Sequence, residues 1–88
     1  IIVAYEPIWS IGTGKIPMAK ELQKTTVYIK KVLKSIFKKN SPAVLYGGSI
    51  DGSSVQMFKQ IKEIDGFLIG GASKSSKKFI DIIKNYYR

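Results

Sequence analysis

The sequence predicts an α/β fold: three βα units with parallel strands, forming part of a (β/α)₈ barrel. Three observations carry that reading. Short apolar runs alternate with amphipathic stretches in the order βαβαβα. Each apolar run leads into a loop that carries glycine. Three parallel strands on their own also leave unpaired edges and an apolar face in water, and closure into a barrel removes both. The isolated 88-residue chain is therefore expected to fold poorly or aggregate unless further strands are supplied.

The elements follow in order. Residues 1–5 are apolar and rich in β-branched side chains, as in a strand buried on both faces. Residues 7–17 hold Gly12, Gly14 and two prolines, and read as a loop. From about residue 18 to residue 39, Leu22, Ile29, Val32, Leu33, Ile36 and Phe37 recur at helical spacing. Asn40-Ser41-Pro42 stops that helix. Ala43-Val44-Leu45-Tyr46 is the second strand, closed by Gly47-Gly48-Ser49. Asp51-Gly52 makes a turn, after which Ser53 or Ser54 caps a short helix through Gln60 or Ile61. Gly66-Phe67-Leu68-Ile69 is the third strand, followed by Gly70-Gly71. Ser75 or Ser76 caps a last helix with Phe79, Ile82, Ile83 and Tyr86 on its apolar face. The whole chain is one part of a single domain, and its start inside a strand reads as truncation.

Composition narrows the chemistry. With no Cys there is neither a disulfide nor a thiolate metal site, and with no His the commonest metal ligand and acid–base group is absent. No apolar run is long enough to cross a bilayer, so no membrane partner is expected. A reducing cytoplasm fits the lack of cysteine. The net charge of +9 raises the question of nucleic acid. Lys20, Lys24, Lys31, Lys34 and Lys38 fall on one helical stripe opposite the apolar one, which reads as a solvated face rather than a binding groove.

In a parallel barrel the working residues sit at the C-terminal strand ends and in the loops beyond. Gly12-Thr13-Gly14, Gly47-Gly48-Ser49 and Gly70-Gly71 occupy those places. Glycine lets the backbone approach a ligand closely and leaves N–H groups free for an anion. One glycine pair is usually a turn, but three on one rim favour a phosphate. Glu6 ends the first strand, and its rim position before a long loop favours a site residue over a surface charge.

The run Ala4-Tyr5-Glu6-Pro7, continuing Ile8-Trp9-Ser10-Ile11-Gly12-Thr13-Gly14-Lys15, resembles the catalytic strand and lid of the triosephosphate isomerase family. Leu45-Tyr46-Gly47-Gly48-Ser49 and Ile64-Asp65-Gly66-Phe67-Leu68-Ile69-Gly70-Gly71-Ala72-Ser73 resemble the next two rim motifs of that family, in order. The resemblance covers essentially the whole chain and corresponds to strands six to eight of the TIM barrel.

It implies interconversion of dihydroxyacetone phosphate and glyceraldehyde 3-phosphate, a step of glycolysis and gluconeogenesis, with no cofactor and no metal. Glu6 would take a proton from the carbon beside the carbonyl and return it to the neighbouring carbon through an enediolate. The N–H of Gly12 would grip the phosphate as the lid closes, with the N–H groups of Ser49 and Gly71, and Gly70 beside them, completing the cradle. Ile11 would cover Glu6 and exclude water. Pro7 and Pro17 stiffen the lid ends, Gly12 and Gly14 loosen its tip around Thr13, and Trp9 reads as a hinge anchor in preference to a core-packing aromatic. Lys15 has the motif position without a clear chemical task. In the family, the hydroxyl at the position of Tyr46 latches the closed lid onto a backbone N–H. The matching residue here is Pro17, which has none, so this lid is expected to close without that latch. The family's His, Lys and Asn belong to earlier strands, as do most contacts of its homodimer. About 160 further residues are expected to precede this chain, and alone it is expected to be inactive. Another phosphate-binding barrel enzyme is the alternative, and a basic binding module a third, suggested only by charge.

Overall fold

The computed structural model of the chain describes residues 1–8 and 16–88. It places three parallel strands, β1 (Ile2–Tyr5), β2 (Ala43–Gly48) and β3 (Gly66–Ile69), in the order β1-β2-β3. Helix α1 (Ala19–Phe37) links the first two strands and α2 (Val55–Lys59) the next two. A 3₁₀ turn (Gly71–Lys74) and helix α3 (Ser76–Tyr86) follow β3. Each predicted strand and helix is present, and neighbouring strands in sequence are neighbours in the sheet, as in a parallel barrel wall. Tyr5 pairs with Tyr46, Tyr46 with Phe67, and Gly48 with Ile69. The C-terminal ends of all three strands therefore lie side by side.

Strand alternation divides the sheet into two unlike faces. Val44 and Tyr46 point toward the helices and are fully buried. Around Tyr46 gather Leu22, Ile50, Val55, Phe58, Ile61 and Ile82, with Tyr5, Phe67 and Ile69 packed against them. The ring of Phe58 stacks on Tyr46 at 4.5 Å between centroids and meets Phe67 at 6.1 Å. On the opposite face Ile2 is 67% exposed and Leu68 47% exposed. The expectation that the first strand is covered on both faces is therefore met on one face only. Three strands provide a single helix-covered side, and the other needs strands from elsewhere in a barrel.

Helix α1 buries Leu22 and Thr26, whose hydroxyl donates to the Leu22 carbonyl. Lys20, Lys24, Lys31, Lys34 and Lys38 all face solvent, as the periodicity predicts. Val32, Ile36 and Phe37, expected on the apolar stripe, depart from that pattern: they lie at its margin or end and remain exposed. The helix ends at Phe37, two residues earlier than predicted, because Lys38 turns to φ 58° while its N–H still bonds the Lys34 carbonyl. The cap of α2 also differs. Ser54 precedes the helix, but no serine side chain caps it. Asp51 Oδ1 instead accepts from the N–H groups of Ser53 and Ser54 at 3.0 and 2.7 Å. The Ser54 N–H and the Ser53 hydroxyl are the main groups holding the Asp51 carboxyl below its ordinary range. At α3, Ser75 does cap, accepting from the Lys78 N–H. Ile82 is buried as predicted, whereas Ile83 stays 42% exposed.

Asp65 ties three elements together just before β3. Its carboxylate accepts from Lys30 Nζ of α1 at 2.6 Å and from the Val44 N–H of β2 at 2.8 Å. Burial, the largest single influence, pushes the Asp65 carboxyl up, but Lys30 and the Val44 N–H together outweigh it and hold it below its ordinary value. A carboxyl lowered by folding adds stability that is present above its unfolded pKa of about 3.9 and lost as the pH falls through the folded value. With the rest of the barrel present, Asp65→Asn is expected to cost about 1 kcal/mol at pH 7, since solvent reaches this side chain and screens it. Urea midpoints at pH 7 and pH 3 check this, and the gap between parent and variant should narrow at the lower pH.

Candidate functional site

Register fixes which rim residues meet. Tyr5 stands opposite Tyr46, so Glu6, one residue past β1, comes level with Gly47. Gly47 in turn pairs with Leu68, and Gly48 with Ile69. The second strand runs two residues past its predicted end, through Gly47 and Gly48. Glu6, the Gly47-Gly48-Ser49 stretch at the end of β2 and the Gly70-Gly71 turn thus occupy successive positions along one sheet end. The outer two are two strand spacings apart, about 10 Å.

Ser49, Gly70 and Gly71 line a single cleft of about 410 Å³, together with Gly48, Asp51 and Lys78. No heavy atom lies within 4 Å of where a Cβ would stand on Gly70 or Gly71, so packing in the described residues does not demand glycine there. Their backbone borders open cleft instead. The Gly70 carbonyl accepts from the Ser73 N–H at 3.0 Å and from its hydroxyl at 2.5 Å, which winds the chain into the 3₁₀ turn. Gly48 has φ 151°, a backbone state that L side chains rarely adopt. This bend carries the chain from β2 into the cleft wall.

Glu6 lies outside the cleft lining, on the neighbouring strand end, with its side chain exposed and laid against Gly47. Pro7 is buried directly after it, and Pro17 is buried at the far end of the loop. Tyr46 is fully buried, with its ring stacked on Phe58, directly before Gly47-Gly48-Ser49 in the chain. Trp9, Ile11, Gly12, Thr13, Gly14 and Lys15 lie outside the described residues. The structure therefore brings Ser49, Gly70 and Gly71 together and puts Glu6 beside them across Gly47.

Three residues at this end escaped the sequence reading. Lys78 and Asp81 reach the cleft from α3, and the sequence motifs assign neither of them a role. Gly47 counted as one glycine of a turn, although it is in contact with Glu6. The usable signal was strand register: aligning Tyr5 with Tyr46 puts Glu6 next to Gly47.

A family model described as "Triosephosphate isomerase" matches residues 1–86. Among similar proteins, the triosephosphate isomerase of Chlamydia abortus is 40% identical over 91 residues, covering 100% of this chain and 36% of that protein. The triosephosphate isomerase of Dictyostelium discoideum is 42% identical over 90 residues, covering 97% of this chain and 34% of its own length. That of Chlamydia caviae is 36% identical over 89 residues, with 98% and 35% covered. The chain spans about a third of the length of the curated relatives it matches.

Proposed function

The chain belongs to the triosephosphate isomerase family, and on that footing we propose that it forms the C-terminal part of an isomerase that interconverts dihydroxyacetone phosphate and glyceraldehyde 3-phosphate. The observation that carries the proposal is the shared rim: a strand-end carboxylate, Glu6, beside a glycine-walled cleft with open backbone at Gly70 and Gly71.

In this reading the cleft takes the phosphate. The N–H groups of Ser49 and Gly71, with Gly70 and, from the lid, Gly12, donate to its oxygens. Backbone donors suit a dianion because they are fixed in place before it arrives. Lys78 reaches the same cleft and adds positive charge, offset by Asp81. With the phosphate held there, the triose carbons extend across β2 toward Glu6. The carboxylate takes a proton from the carbon beside the carbonyl, and the C–H electron pair forms the enediolate double bond as the carbonyl π pair moves onto its oxygen. The proton then returns to the former carbonyl carbon, while the hydroxyl proton passes to that oxygen and its own oxygen becomes the new carbonyl. Nothing is oxidised or reduced overall, so the step requires no redox partner. The oxygens of the enediolate need a donor from another strand, since this chain has no His. A homodimer and a cytoplasmic setting belong to the same proposal. No helix among the described residues is long and apolar enough to cross a membrane.

The test is a two-way triose phosphate assay on the complete barrel enzyme containing these residues. Turnover in both directions is expected, with competitive inhibition by inorganic phosphate. Absence of turnover alongside intact phosphate binding would favour a different phosphate-binding barrel enzyme.

A further inference from the structure

We propose that Gly47 is a positioning residue for Glu6: its missing side chain is the seat on which the Glu6 side chain rests. This assignment builds on the reading of Glu6 as the base. A Cβ placed on Gly47 would stand 2.6 Å from Glu6 Cγ, 3.1 Å from Cδ and 3.2 Å from Oε1. The first is a distance that real Cβ atoms essentially never show, while the other two are tight contacts that a shift of a few tenths of an ångström would relieve.

The identity of the clashing atom decides the consequence. Cγ is the second atom of the side chain, so rotation about the later bonds of Glu6 leaves it where it is. Relief requires a new χ1 well, which swings the whole carboxylate away by a few ångströms. A displacement of about 1 Å at a reacting group is enough to cost a large factor in rate.

Backbone conformation offers no competing reason for the glycine. Gly47 is absent from the positive-φ residues, unlike Gly48 at φ 151°. It is a regular β2 residue paired with Leu68, in a state open to any L residue. The side chain is excluded by Glu6 rather than by the turn. Strand parity agrees: Glu6 and Gly47 both point to the sheet face opposite Tyr5 and Tyr46.

The experiment uses the complete enzyme. Gly47→Ala is expected to lower kcat by about tenfold or more, equivalent to at least ~1.4 kcal/mol of activation free energy. KM and inhibition by inorganic phosphate should stay within about twofold, because the cleft is untouched. An unchanged kcat, or a matching loss of phosphate inhibition, would overturn the assignment. If Gly47→Ala fails to fold, the pair Glu6→Ala and Gly47→Ala decides: a folded double variant supports the seat, and persistent misfolding overturns it. Glu6→Gln runs beside these. Full activity in Glu6→Gln removes the base reading itself, whereas an inert Glu6→Gln beside a fully active Gly47→Ala removes only the seat.

Discussion

Glu6→Gln in the complete enzyme is expected to lower kcat by roughly 10²- to 10⁴-fold, the usual contribution of a positioned general base. The amide matches the carboxylate in size and reach, so the contact with Gly47 and the burial of Pro7 are kept. What is lost is the ability to take up a proton. The cleft formed by Ser49, Gly70 and Gly71 lies one strand further on and contains no atom of Glu6. Inhibition by inorganic phosphate should therefore remain close to that of the parent. Initial rates in both directions, with a phosphate inhibition series, separate the two effects. A variant that keeps its kcat would mean that another group moves the proton.

Phe58→Ala is the substitution with the largest expected effect on stability, about 3–5 kcal/mol. Phe58 is fully buried, stacks on Tyr46 and meets Phe67, so it joins α2 to both β2 and β3. Its removal leaves a cavity that rigid strands cannot close, and the cost combines lost transfer energy with that void. The loss also reaches the rim. Tyr46 immediately precedes Gly47-Gly48-Ser49, so a Tyr46 ring without its partner loosens the cleft wall. Urea unfolding of the complete barrel measures the first effect, and weaker inhibition by phosphate reports the second. Phe58→Leu keeps much of the volume and should cost distinctly less. A loss below about 1 kcal/mol for the alanine variant would show that the site collapses to fill the gap.

The sequence was most informative where one physical cause dominates. Leu22 and the lysines of α1 fell where a 3.6-residue period puts them, because burial and solvation both act on a long helix. The strands were legible as apolar runs, and β3 has its predicted limits. The α2 cap was misread because Asp51 and Ser54 can both offer an oxygen, and only the turn geometry selects Asp51. Val32 and Ile36 were read as covered, yet they lie on the flank of α1 that nothing in this chain covers. Among site residues, Ser49, Gly70 and Gly71 share a cleft as the motifs implied. The roles of Lys78 and Gly47 depend on which elements meet in space, a fact no local pattern records.

The two unlike sheet faces bear on the order in which a cell makes such a protein. The helix-side cluster around Tyr46 and Phe58 is built wholly from this chain's own residues. The side with Ile2 and Leu68 waits for strands it does not contain. Synthesis runs from the N-terminus, so a segment at the end of a longer polypeptide leaves the ribosome last. On the proposal that this chain is the C-terminal part of such a barrel, the strands that cover Ile2 and Leu68 are made before it. In that proposed arrangement the adhesive side of the sheet is exposed only briefly, and this segment closes the barrel instead of waiting for it.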